Sequence, residues 1–500
     1  RARWDRLRGH DWEHGWGSNA WAVQASATED GRALLAGDGH LGLTIPPLFY
    51  QIGLDVKQLS KDKEELSFVG MTVPGLPVPG PGTNGHIAWS QIAFFGDITD
   101  WYREEIQLDG NGVPVAARFD GEWIPLVAVE ESAIIREIPA LGSEGGTRTW
   151  TRWTTADGRW IADIEGRRGN DPGDGESVVW MGGDRIVPGD TDGDGIVTGI
   201  SFDYPPLDGS PAVVGLWGFA DARTVDDFHE ATKDLNGNSA GLVAADRDGS
   251  ILYTGFQAVP CRTYLPRNPD GSFVEGADPS LLIDGTTYPG FTVPLVDGHI
   301  DYSQRDDPQR CLVPFEDYPW SKDPAQGFLV AANNDPGGQS FDVDLTNDGW
   351  YVGGPWLEGY RADTIDRELD RMATEKSASI ANMQELQANH DSRLGEQFVP
   401  VLIAALDRAE ALAAGAPEEG TSEARIAAAW DADADRFAEV RTRLQAWADG
   451  GYQAESGVET FYDTVEDGDV ADSVATSIFN AWYGRFARAI LDDERIPPGA

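Results

Sequence analysis

The sequence predicts an α+β fold, on three observations. From Ser18 to about residue 360, short apolar runs are punctuated by Gly, Pro, Asn and Asp every eight to twelve residues or so, the spacing of strands in large sheets. Beyond about residue 362 the apolar period becomes helical. A 41% hydrophobic content with 18 Trp in 500 residues is ample for a buried core. In chain order, NAWAVQAS (19–26), ALLAGD (33–38), GHIAWSQIAFFGD (85–97) and TRTWTRWTTADGRWIADI (147–164) read as strands with their turns. Leu242–Ala245, the turn Asp246–Gly249 and Ile251–Tyr253 form a hairpin. Ile426, Trp430, Phe437, Val440, Leu444 and Trp447 recur at threes, fours and sevens, which predicts one helix capped at Thr421 or Ser422 and closed by Gly450-Gly451. Similar patterns cover 362–390, 397–414 and 470–491. Helices are thus added at the C-terminal end of a sheet-rich core and between some of its strands.

Charge excludes one class of partner. The formal charge of -46 comes from 84 acidic against 38 basic residues, of which six are lysines. Phosphate backbones would be repelled over most of such a surface, so no nucleic acid is expected. An acidic, lysine-poor surface suits a protein kept soluble in high salt, where cations screen its self-repulsion. No stretch reaches the roughly 18 consecutive apolar residues of a membrane span. The chain opens Arg1-Ala2-Arg3-Trp4 without an initiator Met, and something upstream is expected to have been removed or omitted. Cys261 and Cys311, both in loop-like sequence, are either a disulfide in an oxidising compartment or two isolated thiols.

Individually the motifs are modest. In HGWGSNAWAV (14–23), Gly-Ser-Asn before a strand is ordinary turn chemistry, and a nucleophilic serine there needs support from distant parts of the chain. Asp190-Thr191-Asp192-Gly193-Asp194-Gly195 has the head of a calcium loop, but Ser201 stands where the bidentate Glu belongs, leaving an acidic hairpin loop as the other reading. His40 lies in a Gly-rich turn, and Asn333-Asn334-Asp335-Pro336 reads as a turn after a strand. There is no HExxH or phosphate loop.

Together, eight segments in order resemble the β-chain of the penicillin acylase family, a branch of the N-terminal nucleophile hydrolases. They are GSNAWAV (17–23), LAGDGHLG (35–42), PGTNGHIAWSQIAFFGDITDWY (81–102), ADRDGSILYTGFQAVPCR (245–262), LVPFEDYPW (312–320), GFLVAANNDP (327–336), WLEGYRADTI (356–365) and LQANHDSRLG (386–395). The resemblance implies an αββα sandwich with added C-terminal helices. It divides the chain into a linker-peptide remnant at 1–17, a catalytic core at 18–365 and a largely helical part at 366–500. It also implies autocatalytic cleavage before Ser18, whose hydroxyl then attacks while its freed α-amine, with a reference pKa of roughly 7.7 to 8.0, accepts the proton.

The other roles are implied in the same way. The backbone N–H of Ala93 and the side-chain amide of Asn333 would stabilise the oxyanion. His40, where penicillin G acylases have Gln and similar to cephalosporin and acyl-homoserine-lactone acylases, would orient Ser18 and its amine, its own backbone N–H being a further candidate donor to the oxyanion site. Arg361 would help hold Asn333. A structural calcium would take Asp97, the carbonyls of Thr99 and Pro260, Asp100 and Asp348, the last favoured over Asp344, with one ligand from an α-chain that also lines the acyl pocket. The expected mature form is an extracellular or periplasmic αβ heterodimer, an amidohydrolase of linear amides. Its substrate would be a β-lactam, an N-acyl-homoserine lactone or another N-acyl amine. The competing reading is an uncleaved, non-catalytic calcium-binding secreted scaffold of the same fold, distinguished by the absence of a chain beginning at Ser18.

Overall fold

The computed structural model describes residues 17–42, 44–56, 67–142, 144–168, 178–181, 184–342, 344–459 and 464–491. All but Gly17 of the expected linker remnant lies outside them. The chain divides into two compact units, one ending at Leu357 and one beginning at Glu358, a few residues before the boundary read from periodicity.

In the first unit, the strand Gly17–Val23 lies between Leu34–His40 and Phe328–Ala331, antiparallel to both. A seven-stranded sheet runs in the order 320–322, 251–254, 240–246, 87–93, 82–83, 67–72, 50–55. Side chains alternate across a strand, and that alternation builds the layers. Ala20, Ala22, Leu329 and Ala331 of the small sheet pack on Ile92, Val243, Ala245, Ile251 and Tyr253 of the large one. Ile87, Trp89, Leu242, Ala244 and Leu252, on the opposite face, pack against Phe219, Val225 and Phe228 of the helices Ala212–Asp221 and Val225–Ala231. The layers therefore run sheet, sheet, helix pair. Ala240–Asp246, covered on both faces, is buried at every residue, as its near-continuous apolar text requires. It pairs with Ile251–Thr254 in the hairpin expected from the sequence.

The two sheets meet closely because small residues line the contact. A Cβ on Gly37, which lies opposite Ala20, would sit 2.0 Å from Ser90 Oγ. A further eight-stranded sheet contains Asp100–Leu108 between Ile196–Asp203 and Pro114–Phe119. Cys261 and Cys311 are bridged, with Cα atoms 5.4 Å apart, which settles the alternative left open by the sequence.

The second unit is helical: Tyr360–Glu375, Ile380–Gln387, Arg393–Gly415, Ser422–Ala432, Ala434–Asp449 and Asp469–Leu491. Its core gathers Val399, Leu402, Leu406, Trp430, Leu444, Trp447, Ala475 and Phe479. The single helix expected over 421–450 is two. Thr421 caps the first, its side chain accepting from the Ala424 N–H, and the chain breaks at Asp433, whose backbone (φ -146°, ψ 37°) is not helical. Trp430 and Phe437 stack across the break at 5.7 Å, so the apolar period continues through it unbroken. The change of class from strands to helices falls where the sequence predicts, and the fold is α+β.

Candidate active site

Strand register assembles the site. Pairing of Ala20 with Ala331, continued by two residues, carries Asn333 to the side of Ser18. The Ser18 N–H donates to Asn333 Oδ1 at 2.6 Å across 315 residues of sequence. Ser18 shares its face with Ala20 and Ala22, so its side chain points toward the large sheet and is nearly buried. Its hydroxyl donates to the carbonyl of Gly17 at 2.6 Å, the carbonyl of the bond expected to break.

Asn333 is fully buried and left-handed, with φ 63°, a conformation Asn tolerates better than most residues. Its carbonyl accepts the Leu357 N–H at 2.9 Å. Its Nδ2 donates to the Ala93 carbonyl at 2.8 Å. Ala93 ends the strand Ile87–Ala93, and the next residue, Phe94, donates its N–H to the Ser239 carbonyl at 3.0 Å. Backbone groups alternate sides along a strand, so the Ala93 N–H and C=O both face the edge where Asn333 binds. Ser18, Asn333 and Ala93 are thereby brought together.

His40 is placed differently from the expected orienting role. It lies opposite Gly17, and its imidazole shares a face with Asn19 and Asp38, away from the Ser18 hydroxyl. There Nε2 sits 3.0 Å from Asp38 Oδ2 and 3.4 Å from Asn19 Nδ2. Only the His40 backbone borders the bond before Ser18. Arg361 belongs to the other unit, in the first turn of Tyr360–Glu375.

Two of the residues expected around calcium, Asp97 and Asp100, lie beside one another. Hard carboxylate and carbonyl oxygens suit that ion, and the Pro260 carbonyl, set between the Cys261 N–H to Cys311 and Val313 N–H to Val259 hydrogen bonds, points away from the Leu312 strand. However, a buried guanidinium already serves the Asp100 carboxylate and approaches that of Asp97 to 4.0 Å. Arg262 Nε lies 2.9 and 3.2 Å from the Asp100 oxygens, and Nη2 lies 2.8 Å from Asp100 Oδ1 and from the Asp97 carbonyl, which is two residues before Thr99. Tyr264 donates to Asp100 Oδ2 at 3.2 Å and Tyr351 to Asp97 Oδ2 at 2.7 Å. Burial raises the Asp97 carboxyl against the lowering pull of Arg262. Asp348 stands among other acids: burial first, then Asp342, Asp335 and Asp344, raise its carboxyl. As placed, with Arg262 on Asp97 and Asp100, these residues do not fit a calcium ion.

In the acidic loop, ligand atoms of Asp190, Asp192 and Asp194 lie within 4.8 Å of one another, the one such group of three among the described residues. Asp190 closes the loop on itself, accepting the N–H groups of Gly193 and Gly195 at 2.8 and 2.7 Å. Ser201, at the twelfth position, is buried in a strand and donates to Glu104 Oε1 at 2.5 Å. Nothing in the sequence marks Arg262 beyond its being the lone charge in the run FQAVPCRTYLP.

Comparison with known proteins places this arrangement in context. The model of the family described as penicillin amidase matches residues 1–497. An acyl-homoserine lactone acylase QuiP of Pseudomonas aeruginosa is 24% identical over 372 residues, covering 73% of this chain and 35% of that protein. The penicillin acylase 2 proenzyme of Pseudomonas sp. SE83 is 28% identical over 321 residues, covering 64% of this chain and 32% of that protein. The solved thermostable penicillin G acylase of Alcaligenes faecalis shares the fold at a TM-score of 0.51 and 21% identity, over 82% of this chain and 57% of that one. The chain spans about a third of the length of the curated relatives it matches. No described helix is long and apolar enough to cross a membrane.

Proposed function

Because the chain belongs to the penicillin amidase family, we propose that it is the nucleophile-bearing β-chain of an acylase that hydrolyses an N-acyl amide through an ester on Ser18. The observation that carries this reading is the bridge from the Ser18 N–H through Asn333 to the Ala93 backbone. It sets one hydroxyl, one future amine and two oxyanion donors side by side.

Maturation begins when Ser18 Oγ adds to the Gly17 carbonyl carbon, 2.6 Å from whose oxygen it already lies. The C–N bond breaks, an ester to Oγ forms and the amine is freed; water then hydrolyses the ester and releases the segment ending in the Gly17 carboxylate. In turnover, Oγ attacks the substrate carbonyl as its proton passes to the Ser18 α-amine, which remains oriented by Asn333 Oδ1. The oxyanion accepts from the Ala93 N–H and from the side-chain amide of Asn333. Collapse expels the amine, which takes up the proton, and water cleaves the acyl-Ser18 ester.

The substrate is a β-lactam, an N-acyl-homoserine lactone or another N-acyl amine, the first two suggested by the relatives' names. The partner is an α-chain of the same precursor, and the compartment is extracellular or periplasmic, consistent with the disulfide. The test is a panel of chromogenic N-acyl anilides of graded chain length and aromatic content, run on the processed heterodimer and on Ser18→Ala. We expect hydrolysis by the first and neither cleavage nor hydrolysis by the second; a Ser18→Ala protein that still hydrolyses anilides would remove the reading.

A further inference from the structure

We propose that Arg262 is a positioning residue that holds both oxyanion donors in register; this rests on the acylase reading above. Two backbone segments lead away from the donors. From Ala93 the chain runs through Phe95, left-handed at φ 61°, and Gly96 to Asp97 and Asp100. From Asn333 a hydrogen bond leads to Leu357 and back along the segment that begins at Tyr351. The segments are joined directly. Asp97 donates its N–H to the Val352 carbonyl at 3.0 Å, and Gly354 donates to the Phe95 carbonyl at 2.8 Å. Gly353, at φ 132°, approaches so closely that a Cβ there would sit 2.3 Å from the Asp97 nitrogen.

One guanidinium spans this junction. Arg262 binds the Asp97 carbonyl and the Asp100 carboxylate on the Ala93 side, and Nη1 reaches the Tyr351 carbonyl at 3.4 Å on the Asn333 side. It is 2% exposed and itself left-handed, at φ 56°. Its backbone is pinned by the neighbouring Cys261–Cys311 bridge and by the Cys261 N–H on the Cys311 carbonyl at 2.9 Å. A planar fork with five donors can serve a carboxylate edge-on and two carbonyls at once; an ammonium carries the same charge without that geometry. A displacement of about 1 Å at a reacting group costs on the order of 100-fold in rate, so a loosened junction would be read at the transition state, when the oxyanion needs both donors.

Arg262→Lys separates geometry from charge and avoids leaving the buried Asp100 carboxylate uncompensated, the fault an apolar replacement would introduce. Wild type and variant are compared as processed heterodimers on a chromogenic N-acyl anilide. Inhibition is measured with a boronic acid, which adds to the serine hydroxyl as a tetrahedral anion, and with the carboxylate product. We expect kcat to fall between roughly 10- and 100-fold and boronate binding to weaken by the same factor, with KM and product binding unchanged within about threefold. Unchanged kcat, or boronate and carboxylate weakened alike, would overturn the assignment. Should Arg262→Lys fail to accumulate, Tyr351→Phe, which frees Asp97 Oδ2, carries the test: a smaller fall in kcat with the same split supports it, and wild-type kcat overturns it. Failure of the acylase reading shows separately, as a wild-type protein with no anilide hydrolysis.

Discussion

At the scale of residues, Asn333 does two jobs at once, accepting from Ser18 with one end of its amide and donating to Ala93 with the other. Asn333→Ala should still cleave before Ser18 but turn over roughly 100-fold more slowly, through the lost donor; steady-state kinetics at wild-type rates in a processed Asn333→Ala protein would contradict this. Asp203 gives a pH prediction. Burial, opposed by its hydrogen bond from the Phe291 N–H and reinforced by Asp100, raises its carboxyl from 3.8 to about 8. The folded state therefore keeps a proton that the unfolded chain releases near 3.8. Stability from this group is full at low pH and is lost as pH rises through that window, by up to about 1.4 kcal/mol per pH unit, levelling off above about 8. Asp203→Asn should flatten the dependence of Tm on pH between about 5 and 8; an unchanged slope would mean that Asp203 is ionised in the fold. None of these partnerships was legible from composition or spacing. Arg262 reads as a loop cation until Asp97 and Asp100 arrive beside it from a different strand, and His40 reads as a neighbour of Ser18 until alternation sends its ring to the opposite face.

At the scale of elements, local periodicity was legible and long-range register was not. The 240–254 hairpin and the helices beyond 360 follow from patterns within one window of sequence. The break at Asp433 does not, because Trp430 and Phe437 keep the helical apolar spacing across it. Ser18 and Asn333 could be paired from sequence only through the family resemblance, since their contact depends on two strands 315 residues apart meeting in one register. The close approach of the sheets gives an element-scale prediction. Gly37→Ala would push a methyl into Ser90 and should cost about 1–3 kcal/mol in urea unfolding, with part recovered by adding Ser90→Gly; full stability in the single variant would show that the sheets can separate there. Removing the bridge that closes 50 residues between Cys261 and Cys311 should cost about 2–4 kcal/mol in Cys261→Ser/Cys311→Ser. Equal midpoints would mean that the reduced chain is already constrained.

At the scale of the whole molecule, 46 uncompensated negative charges set the response to salt. Screening shortens the range of their mutual repulsion from about 10 Å at 0.1 M to about 3 Å at 1 M, so Tm should rise with KCl over that range; a flat response would remove the idea of an acidic surface suited to high salt. Fold class was legible because it depends on the average period of long segments. The candidate site was not, because Ser18, Ala93 and Asn333 come from three separate places in the chain, and only their joint likeness to one family pointed to them. The proposed function depends on the conversion of an internal serine into a chain terminus. The N-terminal sequence of the mature β-chain, taken from the active heterodimer, tests this most directly. It should read Ser18-Asn19-Ala20-Trp21; an active protein in which Gly17 is still joined to Ser18 would contradict it.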